Sequence, residues 1–126
     1  MVFKKYEDIK VWQFGRELVR RIYALTSVGP FCKDWGLRDQ IQRAAVSICS
    51  NIAEGYARRG NAEFIKFLWI AKGSAAEVQS QLYHAQDLGY ITLECFDDLY
   101  AFTNRIQAGV FNLIQSLTSD TARQKL

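Results

Sequence analysis

Apolar side chains along this chain return at alternating intervals of four and three residues, and no stretch alternates in steps of two with turn signals between. Such a period gathers them on one face of an α-helix, so the pattern predicts helices throughout and no sheet. A first helix is expected over about residues 8–26, with Asp8 as its N-cap and Val11, Gly15, Leu18, Ile22 and Leu25 as its stripe. Ser27-Val28-Gly29-Pro30 then stops it, and a loop holding Phe31, Cys32 and Trp35 follows. A second helix is expected over about residues 37–58, with Ile41, Ala45, Ile48 and Ile52 inward. After a break at Arg59-Gly60-Asn61, the third covers about residues 61–88, with Asn61 as its cap. Phe64, Leu68, Ala71, Ala75, Val78, Leu82 and Ala85 give it the strongest periodic signal in the chain.

Gly89-Tyr90-Ile91-Thr92 separates it from a fourth helix over about residues 92–118, which Thr92 is placed to cap. Phe96, Leu99, Ile106, Val110, Leu113 and Leu117 form its stripe, with Thr103 as a polar interruption, and the polar tail from Ser119 is expected to fray. Amphipathic helices joined by short connections predict an all-α fold: one domain, residues 1–126, built as an antiparallel up-down-up-down four-helix bundle.

The faces opposite these stripes are less polar than solvent demands. On the third helix the outward positions are Lys66, Trp69, Gly73, Ala76, Glu77 and Ser80, flanked by Ile65. The second helix has an apolar or small-residue arc over half its circumference, leaving a stripe of Arg43, Ser47, Ser50, Asn51, Glu54 and Arg58. Pairing the two helices about Gly60 sets Ser47 level with Gly73 and Arg43 level with Glu77. These features predict a homo-oligomer whose candidate interface comprises Arg43, Ser47, Asn51, Glu54, Ile65, Trp69, Gly73, Ala76 and Glu77. The plain alternative is scattered surface apolarity, with Glu54 and Arg58 as a simple i,i+4 pair worth about 0.3–0.5 kcal/mol.

Composition changes this picture little. A chain of 126 residues with 49% hydrophobic and 23% charged residues buries one core without disulfides or metal. No apolar run reaches the roughly 20 residues that span a bilayer, and the first residues have no apolar signal core after their lysines. Three scattered cysteines, Cys32, Cys49 and Cys95, predict reduced thiols and a cytoplasmic setting. The formal charge of +3 is uneven: thirteen basic and seven acidic residues precede Gly73, while three basic and six acidic residues follow from it. Arg16 and Arg20 share an outward stripe with Gln13 and Tyr23, and Arg58 and Arg59 close the second helix beside Lys66. These five cations are the candidate nucleic-acid contacts, because arginine beside tyrosine suits phosphates and unpaired bases. Ordinary solubility is the competing explanation, with Glu17 pairing Arg21 and Asp39 pairing Arg43.

No catalytic, cofactor or metal constellation stands out. His84 is the only histidine, which excludes multi-histidine metal sites, and no paired-cysteine, phosphate-loop or nucleophile-elbow motif occurs. Asp97 and Asp98 are expected in the first turn of the fourth helix, where the dipole accounts for them. Nothing selects Cys95 with His84 as a nucleophile pair, so the expectation is a protein that is not an enzyme.

The run from Arg43 to Gly55 resembles the signature of four-helix-bundle proteins encoded in intervening sequences of bacterial large-subunit ribosomal RNA genes. Three further stretches resemble the same family: Tyr6 to Gln13, Arg58 to Leu68, and Ile70 to Glu77. The resemblance spans about residues 3–118 and implies a bundle that often assembles as a homopentamer. The accessory variability protein of diversity-generating retroelements is similar in fold. That relative is a basic pentameric barrel that binds nucleic acid and associates with a reverse transcriptase. The chain departs from the family pattern at Cys49, where proline is frequent, and at Gln42, where a second arginine is common. The leading expectation is thus a non-enzymatic homo-oligomer binding structured RNA or other nucleic acid, and five copies would carry a charge of about +15. The alternative is a protein-interaction scaffold, or an accessory subunit of a reverse transcriptase or other protein, without direct nucleic-acid binding.

Overall fold

A computed structural model describes residues 3–124, and among them every regular element is helical. A 3-10 turn, Tyr6–Asp8, precedes α1 (Lys10–Thr26), the short α2 (Gly29–Lys33), α3 (Trp35–Ala57), α4 (Asn61–Asp87) and α5 (Leu93–Gln124). α3 packs along α4, α4 along α5, and α1 against both α3 and α5, so the four long helices enclose one core. Leu18, Ile22, Ile41, Ile48, Ile52, Leu68, Leu82, Ile106 and Val110 are among its fully buried members, all on the expected stripes.

Cross-helix contacts give the directions. Gln42 donates to Thr26 Oγ1 (2.9 Å), whereas the Cys49 thiol reaches the Trp12 carbonyl (3.5 Å), so α1 and α3 run in opposite senses. Gln79 bonds Asn104 (2.7 Å) and Asn61 bonds Thr121 (3.3 Å), which sets α4 against α5 in the same way.

Several boundaries differ from the sequence expectation, each for a local reason. Asp8 does not cap α1: the 3-10 turn closes with Ile9 N–H donating to the Tyr6 carbonyl (3.0 Å), buried Ile9 takes the cap position, and the helix starts at Lys10. Pro30 opens α2 instead of merely ending α1, because proline suits the first helical turn. This short helix turns Phe31 into the core, stacked on Tyr90 with ring centroids 5.1 Å apart. α3 begins two residues early, since Asp34 accepts from the Leu37 N–H (3.1 Å). The second carboxylate oxygen of Asp34 accepts from the Tyr90 hydroxyl (2.8 Å), tying the α4–α5 turn to the same cap.

Asn61 is the first residue of α4 and not its cap. Gly60, at φ 82°, holds that position, freeing the Asn61 amide to reach α5. Thr92 does cap α5, accepting from the Cys95 N–H (3.1 Å). Glu94, not Asp97 or Asp98, is the acidic residue of the first turn. α5 does not fray at Ser119 but continues to Gln124, with Thr121 bonded both to the Leu117 carbonyl (2.9 Å) and to Asn61. Buried Thr103 satisfies its hydroxyl on the Leu99 carbonyl (2.7 Å), which explains a polar residue in the stripe.

Candidate nucleic-acid interface

The five cations singled out from the sequence all lie exposed, but in two places. Arg16 stands beside Trp12, its guanidinium 6.0 Å from the ring centroid, at the height of Cys49 on α3. Arg20 is held to Glu17 at 2.6 Å. Arg58, the C-cap of α3, lies nine residues beyond Cys49, about 14 Å away along the axis, and Arg59 follows outside the helix. Arg58 sits over Phe67 at 5.1 Å and pairs with Glu54 at 2.6 Å, while Lys66 projects from the second turn of α4. The Tyr56 hydroxyl donates to the Phe3 carbonyl (2.6 Å), bringing the segment with exposed Lys4 and Lys5 to this same end of the molecule. Arg58, Arg59 and Lys66 therefore gather with the N-terminal lysines, and Arg16 with Arg20 form a second group on α1.

Two further arginines, one of them the expected partner of Glu17, complete the basic surface. Arg21 lies over Phe102 (4.5 Å), and Arg105 lies over Phe14 (5.4 Å). The two rings meet edge to face at 6.0 Å, so a guanidinium–ring–ring–guanidinium ladder crosses the α1–α5 seam. Arg21, Asp98, Ala101, Phe102 and Arg105 line a shallow cleft of about 290 Å³ there. It adjoins a cleft of about 580 Å³ reaching Ala24, Leu25, Glu94, Cys95 and Leu99. One signal was available in the sequence: Phe14 and Phe102 each stand one step off the core stripe of their helix, as large apolar residues at a rim do.

The expected Glu17–Arg21 pair forms at 3.3 Å, but Asp39 pairs with Arg38 (3.4 Å) and not with Arg43. Gln42, where an arginine was missed, bonds Thr26 and so links helix ends. α3 runs through Cys49 without a break.

The candidate subunit-interface residues divide into those engaged within the subunit and those left open. Ser47 meets Ser74, not Gly73: the two hydroxyls are 2.9 Å apart, a slip of one residue from the expected register. Asn51 donates to the Ser47 carbonyl (2.8 Å), and Glu54 pairs with Arg58, so these three are engaged internally. Gly55 is structural, because a Cβ there would come within 2.7 Å of the Phe67 Cβ. Ile65 is half-buried against the core. Arg43 and Glu77 line one shallow cleft without forming an ion pair. Trp69 remains 48% exposed, its ring edge-on to Phe111 (6.2 Å) with Lys72 5.9 Å from its centroid. Exposed Ile70, Gly73 and Ala76 extend that charge-poor face, and nothing lies within 4 Å of where a Cβ on Gly73 would stand.

His84 is exposed and does not line the cleft that holds Cys95. Burial raises the Cys95 thiol pKa, and the Asp98 carboxylate adds to the shift, which disfavours the thiolate a nucleophile needs. Burial pushes the Cys49 thiol up to about 11 despite Arg16 nearby. The three cysteines are free thiols, and among the described residues no group of histidine, cysteine and carboxylate side chains is placed to hold a metal ion. No helix among the described residues is long and apolar enough to cross a membrane.

With this geometry in hand, the model of the 23S rRNA-intervening sequence protein family matches residues 7–112. The chain belongs to that family. The match runs from the 3-10 turn well into α5, so both arginine groups and the α1–α5 ladder lie inside the part shared with the 23S rRNA-intervening sequence proteins. Among solved structures, the fold is similar to that of a protein of unknown function from the S23 ribosomal protein family of Bacteroides thetaiotaomicron. The two share 26% identity over 83% of this chain and 95% of that one, with a TM-score of 0.77. No curated protein matches the chain.

Proposed function

We propose that this 23S rRNA-intervening sequence protein is a non-enzymatic, cytoplasmic, homo-oligomeric four-helix bundle, up-down-up-down in topology, that binds RNA through its basic outer faces. The observation carrying this reading is the repeated placement of arginine over an aromatic ring at the surface: Arg16 on Trp12, Arg58 on Phe67, Arg21 on Phe102 and Arg105 on Phe14. A guanidinium held over a ring loses little further freedom when it meets a phosphate, and it offers a planar surface to an unpaired base. Exposed Arg59, Lys66, Lys4 and Lys5 add charge at one end.

Fluorescence anisotropy with a labelled RNA carrying single-stranded segments, at 50 and 200 mM salt, tests the reading. Binding that weakens steeply with salt is expected. Replacing Arg16, Arg20, Arg58 and Arg59 by glutamate should abolish it while the helical circular dichroism signal stays intact. No binding at low salt, or binding indifferent to salt, would sink the proposal.

Assembly rests on a different observation, the charge-poor face of Trp69, Ile70, Gly73, Ala76 and Phe111. We assign it to contact between copies, with five copies following the family resemblance. Light scattering at micromolar concentration should return a multiple of 14.5 kDa, and Trp69→Ala should shift it toward the monomer. A monomeric wild type would leave this face to a different protein, as in an accessory subunit.

A further inference from the structure

The α1–α5 seam holds two adjoining clefts beside its basic face. α1 and α5 touch where Gly109 lies against Val11, and the seam opens beyond Phe102 into the two adjoining clefts. Arg21 and Arg105 flank the smaller cleft over a floor containing Phe102. Arg105 makes no ion pair among the described residues, and Arg21 shares Glu17 with Arg20, so both retain donors for an anion. Asp98 lines both clefts and has no ion-pair partner among the described residues, although two arginines line the same space. The larger cleft has an apolar wall of Ala24, Leu25 and Leu99 with Thr92 and Glu94 also lining it, and its volume of about 580 Å³ is ample for one base and its ribose.

We infer that this seam binds one nucleotide of a single-stranded RNA, with its phosphate between Arg21 and Arg105, its base against Leu25 and Leu99, and Asp98 accepting from the base edge. This inference rests on the RNA-binding reading above and gives it a base preference. A carboxylate only accepts, so the pocket favours bases presenting an exocyclic amine, as cytosine does, over uracil, whose edge has carbonyl oxygens on both sides of a single N–H. The apolar wall supplies stacking-like contact for any base, while the arginines supply affinity without sequence information.

Anisotropy titrations of labelled oligo(C) and oligo(U), on the full chain and its variants, decide the matter. The wild type should bind oligo(C) about tenfold more tightly than oligo(U). Asp98→Asn should remove that preference, since its amide donates as well as accepts, and Arg21→Gln with Arg105→Gln should weaken both ligands about tenfold. Asp98, Arg21 and Arg105 are exposed, so thermal melts should remain close to wild type. The paired variant Arg58→Gln with Arg59→Gln should weaken binding yet keep the cytosine preference. If wild type binds RNA but the seam variants change neither affinity nor preference, the pocket is wrong and the broader RNA-binding reading stands. If wild type binds neither oligomer nor a structured RNA, both readings fall together.

Discussion

Two seams of this molecule are closed in opposite ways. Between α3 and α4, small residues let the backbones approach: Gly55 sits under Phe64 and Phe67, and the Ser47 and Ser74 hydroxyls bond directly. Between α1 and α5 the contact is close at Val11 and Gly109 but then widens, and arginines lying on phenylalanines cover what the backbones do not. The first seam is close at Gly55 and Ser47, yet clefts of about 250 Å³ beside Gly55 and Arg58 and about 430 Å³ beside Ser47 and Arg43 remain along it. The second exposes cationic, planar groups beside open clefts. Close backbone approach is thus concentrated in the first seam, which explains why the small-residue run from Arg43 to Gly55 is mainly architecture.

The largest test of this contrast is Gly55→Leu. With a Cβ already 2.7 Å from Phe67, the added side chain has no room, and a loss of about 3 kcal/mol or more is expected in urea denaturation followed by circular dichroism. Ser47→Ala strips a hydrogen bond from Ser74 and Asn51 and should cost about 1 kcal/mol by the same measurement. Gly73→Ala, one residue from Ser74, should instead stabilise the folded chain by about 0.5–1 kcal/mol, because it improves helix propensity in open space. The same substitution should weaken assembly if the Trp69 face joins two copies, which light scattering would reveal. At the other seam, Arg105→Gln should change stability by less than about 1 kcal/mol, the ceiling for an exposed cation on a ring, while reducing RNA affinity.

A separate test concerns pH. Cys49 packs beside Gly15, and burial raises its pKa from 9.0 to about 11. The folded state then holds its proton more tightly than the unfolded chain does. That contribution to stability is complete below pH 9 and is lost as pH rises toward about 11. Comparing urea midpoints of wild type and Cys49→Ala across this window should show the steeper decline in wild type.

The core was legible because burial on a helix follows a period, and Leu18, Ile48, Leu68 and Ile106 obey it. Helix ends were less legible. Asp34 escaped notice as a cap since aspartate is equally ordinary in a loop, and Asn61 resembled a cap until α5 claimed its amide. Register was missed by one residue at Ser74, because a stripe of small side chains carries no marker for which of them touches the neighbour. Arg16, Arg20, Arg58, Arg59 and Lys66 were visible as exposed cations, whereas Arg21 and Arg105 acquire their setting only from rings on another helix.

What the sequence determined by itself is the all-helical class, the number and order of long helices, the inward stripes and the family, because these depend on local period and local motif. Only the tertiary structure decided which seam packs closely and which widens. Phe14 meets Phe102, and Arg105 meets Phe14, across more than eighty residues of chain, and no local pattern encodes a contact between side chains so far apart.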